Sequence, residues 1–159
     1  DADITGLEGE FIYYPNIDGL MITSLNIIEN NDGNIRHIIK KGDVGYIDFG
    51  EAYFSSINKD SIKAWKKHKK MTCNLVVPFG YVRFVMYDDR MDSQSKGIFN
   101  EVTLSEENYN RLTIPPGIWF GFQSIKPLTS TIINIANIKH DPNEVERKEL
   151  REINYNWSF

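Results

Sequence analysis

The chain has 159 residues, a hydrophobic fraction of 41%, a charged fraction of 25% and a formal net charge of −4 at pH 7. That length suits one domain with a real core over residues 1–159 and is short for two, and the acidic balance argues against a nucleic-acid partner or an anionic-membrane role. Cys73 is the single cysteine, which excludes an intramolecular disulfide and fits a reducing cytoplasm, and no apolar run approaches the ~20 residues of a membrane span.

Phe11 to Tyr14 is a short apolar run stopped by Pro15, which cannot join a central ladder. Met21 to Ile28 reads as a strand. Asn30 to Asn34 is a turn, because Asp32-Gly33 supplies the positive φ that a tight hairpin needs. Ile35 to Lys40 follows as a strand broken at Gly42, and Val44 to Phe54 reads as a strand with a bulge at its glycines. Met71 to Val77 and Tyr81 to Tyr87 form the predicted central hairpin, turning at Pro78-Phe79-Gly80, with apolar residues on both faces as in a strand buried between layers. A dense basic cluster, Lys63 to Lys70, precedes it.

Phe99 to Leu104 is another strand, and Ser105 is placed to cap a single helical turn. Leu112 to Ile114 stops at the rigid Pro115-Pro116-Gly117 turn. Ile118 to Ser124 and Thr129 to Ile138 are strands. Asp141 to Ile153 is helical in composition, with its charges on an exposed face, and the aromatic tail Asn154 to Phe159 is expected to pack back on the body. About ten short strands separated by Gly and Pro turns predict an all-β sandwich or barrel with a short C-terminal helical segment.

Lys66 and His68 are two apart on one strand and share a face, with Lys70 following. Burial and mutual repulsion lower a lysine's pKa, which makes such an amine a candidate base; a solvated basic edge is the competing reading. Trp65 and Trp119 are candidates for stacking on a sugar or nucleobase, against core packing as the alternative. Asp88-Asp89-Arg90 ends a strand and suits a salt bridge that orders the turn. Cys73 sits in an apolar run as an inert core thiol.

The pieces Lys66-Lys67-His68 through Gly80 and Pro115-Pro116-Gly117-Ile118-Trp119-Phe120 resemble the two motifs of the cupin superfamily, His-x-His with a later Gly and Pro-x-Gly with a later His. The stretches 62–70, 74–90, 101–123 and 141–157 are most similar to its sugar-nucleotide branch, the dTDP-4-dehydrorhamnose 3,5-epimerases and the related 3,4-ketoisomerases. The resemblance implies a jelly-roll homodimer that binds a nucleotide sugar and works without metal or other cofactor, in the synthesis of cell-surface polysaccharide. In that family a histidine removes the proton beside a C4 ketone, a tyrosine returns one and a lysine stabilises the enolate.

Carried over residue by residue, Lys63 falls at the family arginine, Lys66 at the catalytic histidine and Phe120 at the second histidine. The tyrosine position falls at Ile133 or Asn134. The usual acid/base pair is therefore replaced. The resemblance assigns Lys66 as base or enolate stabiliser with His68 as its partner. It gives Lys63, Lys70 and Arg36 to the diphosphate, and the pocket wall to Trp65, Trp119, Phe120 and Asn134. A non-catalytic cupin that senses or carries a nucleotide sugar, and a 3,4-ketoisomerase, are the alternative readings. One histidine of the motifs, His68, is too few for a three- or four-ligand metal site.

Overall fold

The computed structural model describes residues 11–126 and 128–158; Phe159, the last residue of the aromatic tail, lies outside the described residues. The strands are β1 (Ile12–Tyr13), β2 (Met21–Ser24), β3 (Ile27–Asn30), β4 (Gly33–Arg36), β5 (Glu51–Ile57), β6 (Ile62–His68), β7 (Cys73–Phe79), β8 (Tyr81–Tyr87), β9 (Phe99–Ser105), β10 (Asn110–Ile114), β11 (Trp119–Ser124), β12 (Ser130–Ala136) and β13 (Val145–Arg147). They form a six-stranded sheet in the order β1-β2-β10-β7-β12-β5, a five-stranded sheet in the order β13-β6-β11-β8-β9, and a β3-β4 ribbon. This is an antiparallel, all-β jelly roll.

Alternation along the strands builds the core. Cys73, Leu75 and Val77 of β7, Ile132 and Ala136 of β12, and Leu112 and Ile114 of β10 face Val82, Phe84 and Met86 of β8 and Phe120 of β11 across the sandwich. Full burial of one such side chain, Phe84, stabilises the fold by about 1.5–3 kcal/mol. A second cluster on the outer face of the five-stranded sheet gathers Trp65, Val85, Trp119, Ile153 and Trp157. The aromatic tail packs back as expected, with the Trp157 ring centroid 5.2 Å from that of Trp65.

The predicted central hairpin is not one. β7 pairs with β10 and β12, and β8 pairs with β11 and β9, so Gly80 carries the chain from one sheet to the other. The apolar sets of the two strands meet face to face across the core instead of lying side by side. Gly80 has φ +98°, and a Cβ there would lie 2.2 Å from the Ser130 hydroxyl oxygen. Pro78 sits inside β7, where the register against β12 shifts between Thr131 and Ile133; a proline without an N–H is tolerated at such a bulge.

Three further expectations change. The strand expected from Val44 starts only at Glu51, because residues 38–46 are held against the sheet by side chains rather than by a ladder. The buried Arg111 guanidinium donates to the carbonyls of Ile38 (2.6 Å) and Val44 (3.0 Å), and the Asn74 amide donates to that of Gly45 (3.1 Å). Ser105 does not cap a helix; its hydroxyl accepts from the Asn108 N–H at 3.0 Å and closes a tight turn between β9 and β10. The helix expected at 141–153 is two three-residue 3-10 turns, Pro142–Glu144 and Leu150–Glu152, flanking β13. Its charges have partners on β6, and these draw the segment onto the sheet edge: β13 pairs Val145 with His68, Glu146 with Lys67 and Arg147 with Lys66.

Candidate functional site

One end of the sandwich is open between β5 on one side and β6, β11 and β13 on the other. Two cavities lie there. One of about 370 Å³ is bordered by Ser55, Lys63, Lys66, Phe120, Phe122 and Arg147. The other, of about 350 Å³, is bordered by Glu51, Tyr53, Lys66, His68, His140 and Arg147. Lys66 and Arg147 line both. A larger, more open depression on the C-terminal segment from Glu149 to Trp157 contains none of these groups.

Lys66 and His68 share the inward face of β6, as their spacing predicts. The Lys66 ammonium nitrogen lies 5.7 Å from the centre of the Phe120 ring, and the His68 ring stacks on the same phenylalanine at 6.1 Å. Burial pulls the Lys66 amine below the ordinary lysine range, and the nearby Arg147 and Lys63 charges act in the same direction. Cys73 beneath it offers no compensating negative charge, because burial pushes its thiol up to about 12 and leaves it neutral.

His68 is fixed by a carboxylate. Its Nδ1 lies 2.5 Å from Glu144 Oε1, while Glu144 Oε2 accepts from the backbone N–H groups of Lys70 (3.0 Å) and Met71 (3.2 Å). Burial alone raises the Glu144 pKa, but these donors together hold it below the usual carboxylate range. Burial pulls His68 down despite the carboxylate. The consistent pair is an anionic Glu144 accepting from Nδ1–H of a neutral imidazole, which leaves a lone pair on Nε2. That Nε2 is buried and has no hydrogen-bond partner among the described residues.

The facing sheet contributes Tyr53, directly opposite Asn134 in the β5–β12 pair. Asn134 Nδ2 donates to the Tyr53 hydroxyl at 3.1 Å, and Asn134 Oδ1 accepts from the Asn74 N–H at 3.2 Å, which fixes the amide's orientation. Burial raises the Tyr53 pKa, so the phenol stays protonated, and its own proton remains available on the cavity side.

The remaining sequence-predicted residues divide. Phe120 and Asn134 join Lys66 and His68 inside the barrel. Lys63 stands at the mouth of the first cavity, its ammonium donating to the Ser56 carbonyl at 2.6 Å. Lys70 does not join the group: its side chain is exposed beyond β6, and its backbone is what holds Glu144. Arg36 lies on the outer ribbon, where it donates to the Pro78 carbonyl at 3.0 Å and covers the rings of Phe79 and Tyr109. Trp65 borders the first cavity, but its indole is buried in the outer cluster and donates to the Leu150 carbonyl at 3.1 Å. Trp119 donates to Asp89 Oδ2 at 2.9 Å, and the Lys67 and Lys148 ammonium groups both lie 4.9 Å from its ring centre, so its faces are taken. The Asp88–Arg90 pair does order its turn: Arg90 Nε lies 2.9 Å from Asp88 Oδ1.

Tyr53, Glu144 and Arg147 are the site residues that sequence reasoning missed. Tyr53 lay in a strand predicted to start too early, and Glu144 and Arg147 in a segment read as an exposed helix. The short β-prone Val145-Glu146-Arg147 run after Pro142 was the available signal. Among the described residues no cluster of three or more His, Cys, Asp or Glu side chains is arranged to hold a metal ion.

The architecture around this site is shared with known proteins. A dTDP sugar isomerase from Desulfovibrio desulfuricans G20 superimposes with a TM-score of 0.83 at 31% identity, over 90% of each chain. A spore coat polysaccharide biosynthesis protein of Bacillus subtilis is 27% identical over 146 residues, 89% of this chain and 97% of that protein. A probable low-salt glycan biosynthesis epimerase of Haloferax volcanii is 25% identical over 138 residues, 86% of this chain and 88% of that protein. No family model matches the chain. The chain belongs to the dTDP-sugar isomerase and epimerase family of cupins.

Proposed function

We propose that the open end of the barrel binds a nucleotide-linked keto sugar and moves a proton at the carbon beside its carbonyl, as an epimerase or isomerase serving polysaccharide synthesis. The observation that carries this reading is the pairing of a neutral, carboxylate-fixed His68 on one sheet with a protonated Tyr53 on the other, around a cavity that also holds Lys66. A C–H beside a ketone is a weak acid, so the reaction needs a base at the hydrogen and a polar group at the developing oxyanion. His68 Nε2 takes the proton, Lys66 engages the carbonyl and Tyr53 returns a proton. Because base and acid stand on facing sheets, they approach the carbon from opposite sides and invert it. Lys63 and Arg147, at the mouth and on β13, suit the diphosphate.

A second copy of the chain is the natural partner for the exposed edge strand β5, where Phe54 is 72% exposed and Phe49 nearby is 61% exposed. Sedimentation of the protein tests this, a monomer at all concentrations being the contrary result. Cytoplasmic location agrees with the single free thiol, Cys73. Among the described residues no helix is long and apolar enough to cross a membrane.

The deciding experiment follows a dTDP-4-keto-6-deoxyhexose by proton NMR in heavy water. Loss of the proton signals beside the ketone, at a rate proportional to protein, is the expected result. Broadening of the nucleotide signals with no exchange would instead make the chain a binding cupin.

A further inference from the structure

We propose that Lys66 is a covalent catalyst, its amine adding to the ketone carbon of the bound sugar and carrying it as an iminium while the neighbouring proton moves. This inference rests on the barrel being a keto-sugar isomerase site and specifies how that site activates the carbonyl.

Lys66 differs from the other lysines of the basic cluster in what surrounds it. Lys67 lies 3.0 Å from Glu146 Oε2, Lys69 4.0 Å from Glu146 Oε1, and Lys63 donates to a carbonyl. Among the described residues the Lys66 side-chain nitrogen makes no ion pair or hydrogen bond, and it rests over the face of Phe120. The charged groups that act on it are Arg147 and Lys63, which disfavour its ammonium form, and Glu144, whose carboxylate is already engaged by His68 and two backbone donors; Glu51 borders the same cavity but does not pair with it. A cation meant to stay charged in a partly buried wall is normally given an anion. An amine left without one, among other cations and reachable from two cavities, is built as a nucleophile.

The adjacent groups supply the proton traffic. The neutral amine adds its lone pair to the carbonyl carbon, and the carbonyl π pair moves to oxygen. That oxygen takes a proton, with Tyr53 as donor, while the nitrogen sheds one to His68 Nε2, giving a carbinolamine. Loss of water, using the proton held on His68, leaves the iminium and restores neutral His68. The iminium draws electrons from the neighbouring C–H bond, whose proton passes to Nε2 as the enamine forms. Tyr53, its proton restored from solvent, then protonates the enamine carbon from the facing sheet. Addition of water releases the ketone and the neutral amine, the proton so freed restores Tyr53, and His68 Nε2 returns its proton to solvent. No oxidant or reductant is needed.

The test incubates the intact protein with dTDP-4-keto-6-deoxyhexose and sodium cyanoborohydride, which reduces iminium ions in preference to ketones, and weighs the protein by mass spectrometry. The expected result is an adduct equal to the ligand less one oxygen atom, mapped to the peptide containing Lys66 and absent in Lys66→Arg, which keeps the charge and cannot form an imine. Lys66→Arg is also expected to lose proton exchange while keeping the thermal midpoint of the wild type. Exchange by the wild type with no adduct, or exchange retained by Lys66→Arg, overturns the covalent role and leaves the isomerase reading standing. Absence of both exchange and adduct overturns the two together, whereas an adduct without exchange keeps the covalent site and removes isomerisation.

Discussion

Asn134 stands opposite Tyr53 in the β5–β12 ladder and donates its amide to the phenol oxygen, while its carbonyl is tied to the backbone of Asn74. This makes Tyr53 an acceptor toward the protein and a donor toward the cavity. The resemblance placed a family tyrosine at Ile133 or Asn134; the phenol of this chain comes from the neighbouring strand at the same level, and an amide on β12 aims it. The hydroxyl has no second route for its proton among the described residues.

Tyr53→Phe removes the proton donor and the acceptor of the Asn134 amide while the ring is retained. Formation of the inverted product is expected to fall by about 10²–10⁴-fold, while hydrogen exchange through His68, which needs Tyr53 only in forming the carbinolamine, is expected to fall less. NMR integration of product against exchanged substrate separates the two. Equal losses in both would show that Tyr53 is not a separate acid.

The Glu144–His68 pair predicts an acid-sensitive protein. Burial depresses His68 and the hydrogen-bond donors depress Glu144, so in both cases the unfolded chain binds the proton more tightly than the folded one. Each therefore stabilises the fold fully above its unfolded value and loses that contribution as pH falls through the folded one. The His68 share begins to go below the ordinary histidine value of about 6.5, and the Glu144 share follows at lower pH. Proton-exchange activity declines on the same acid limb as Nε2 is protonated. Thermal midpoints measured from neutral to mildly acidic pH are expected to fall in the wild type and to vary less in His68→Gln. Glu144→Ala is expected to cost about 1–3 kcal/mol by leaving the buried donors unpaired.

Much of the fold was legible because β7, β8, β11 and β12 are short runs rich in β-branched and aromatic residues bounded by Gly and Pro turns. Which strands pair was not legible. The Pro78-Phe79-Gly80 turn looks the same whether the chain doubles back in one sheet or crosses to the other, and only the facing of Val77 and Val82 across a common core decides it. In the site, Lys66 and His68 were found by their two-residue spacing on one strand. Glu144 and Tyr53 were hidden, because their roles depend on contacts 76 and 81 residues away in the chain, with His68 and Asn134 respectively.

The tryptophans illustrate the opposite error, in which a residue type suited to ligand stacking is part of the outer packing. Trp119 has a hydrogen bond to Asp89 and two ammonium groups near its ring. Trp119→Phe is therefore expected to lower stability by about 0.5–1.5 kcal/mol through the lost hydrogen bond and to leave dTDP affinity unchanged. Calorimetric titration of the variant with dTDP checks this, and a tenfold loss of affinity would return Trp119 to the ligand.

Gly80 is where the crossing between sheets is most sharply constrained. Its φ of +98° disfavours any L side chain, and the Ser130 hydroxyl that crowds it also accepts the Tyr81 N–H at 3.1 Å. An added methyl must push Ser130 aside and break that bond. Gly80→Ala combines backbone strain of about 1–3 kcal/mol with a lost hydrogen bond of about 1 kcal/mol. Denaturant unfolding should show the midpoint falling accordingly. Ser130→Gly in the same chain removes the contacts at 2.2 and 2.6 Å and leaves the Cα of residue 130 at 2.7 Å, so the double variant is expected to lose less than the two single changes added together. Simple additivity would mean that the Ser130 side chain adds nothing to the clash, and the strain at this crossing would then be of the backbone alone.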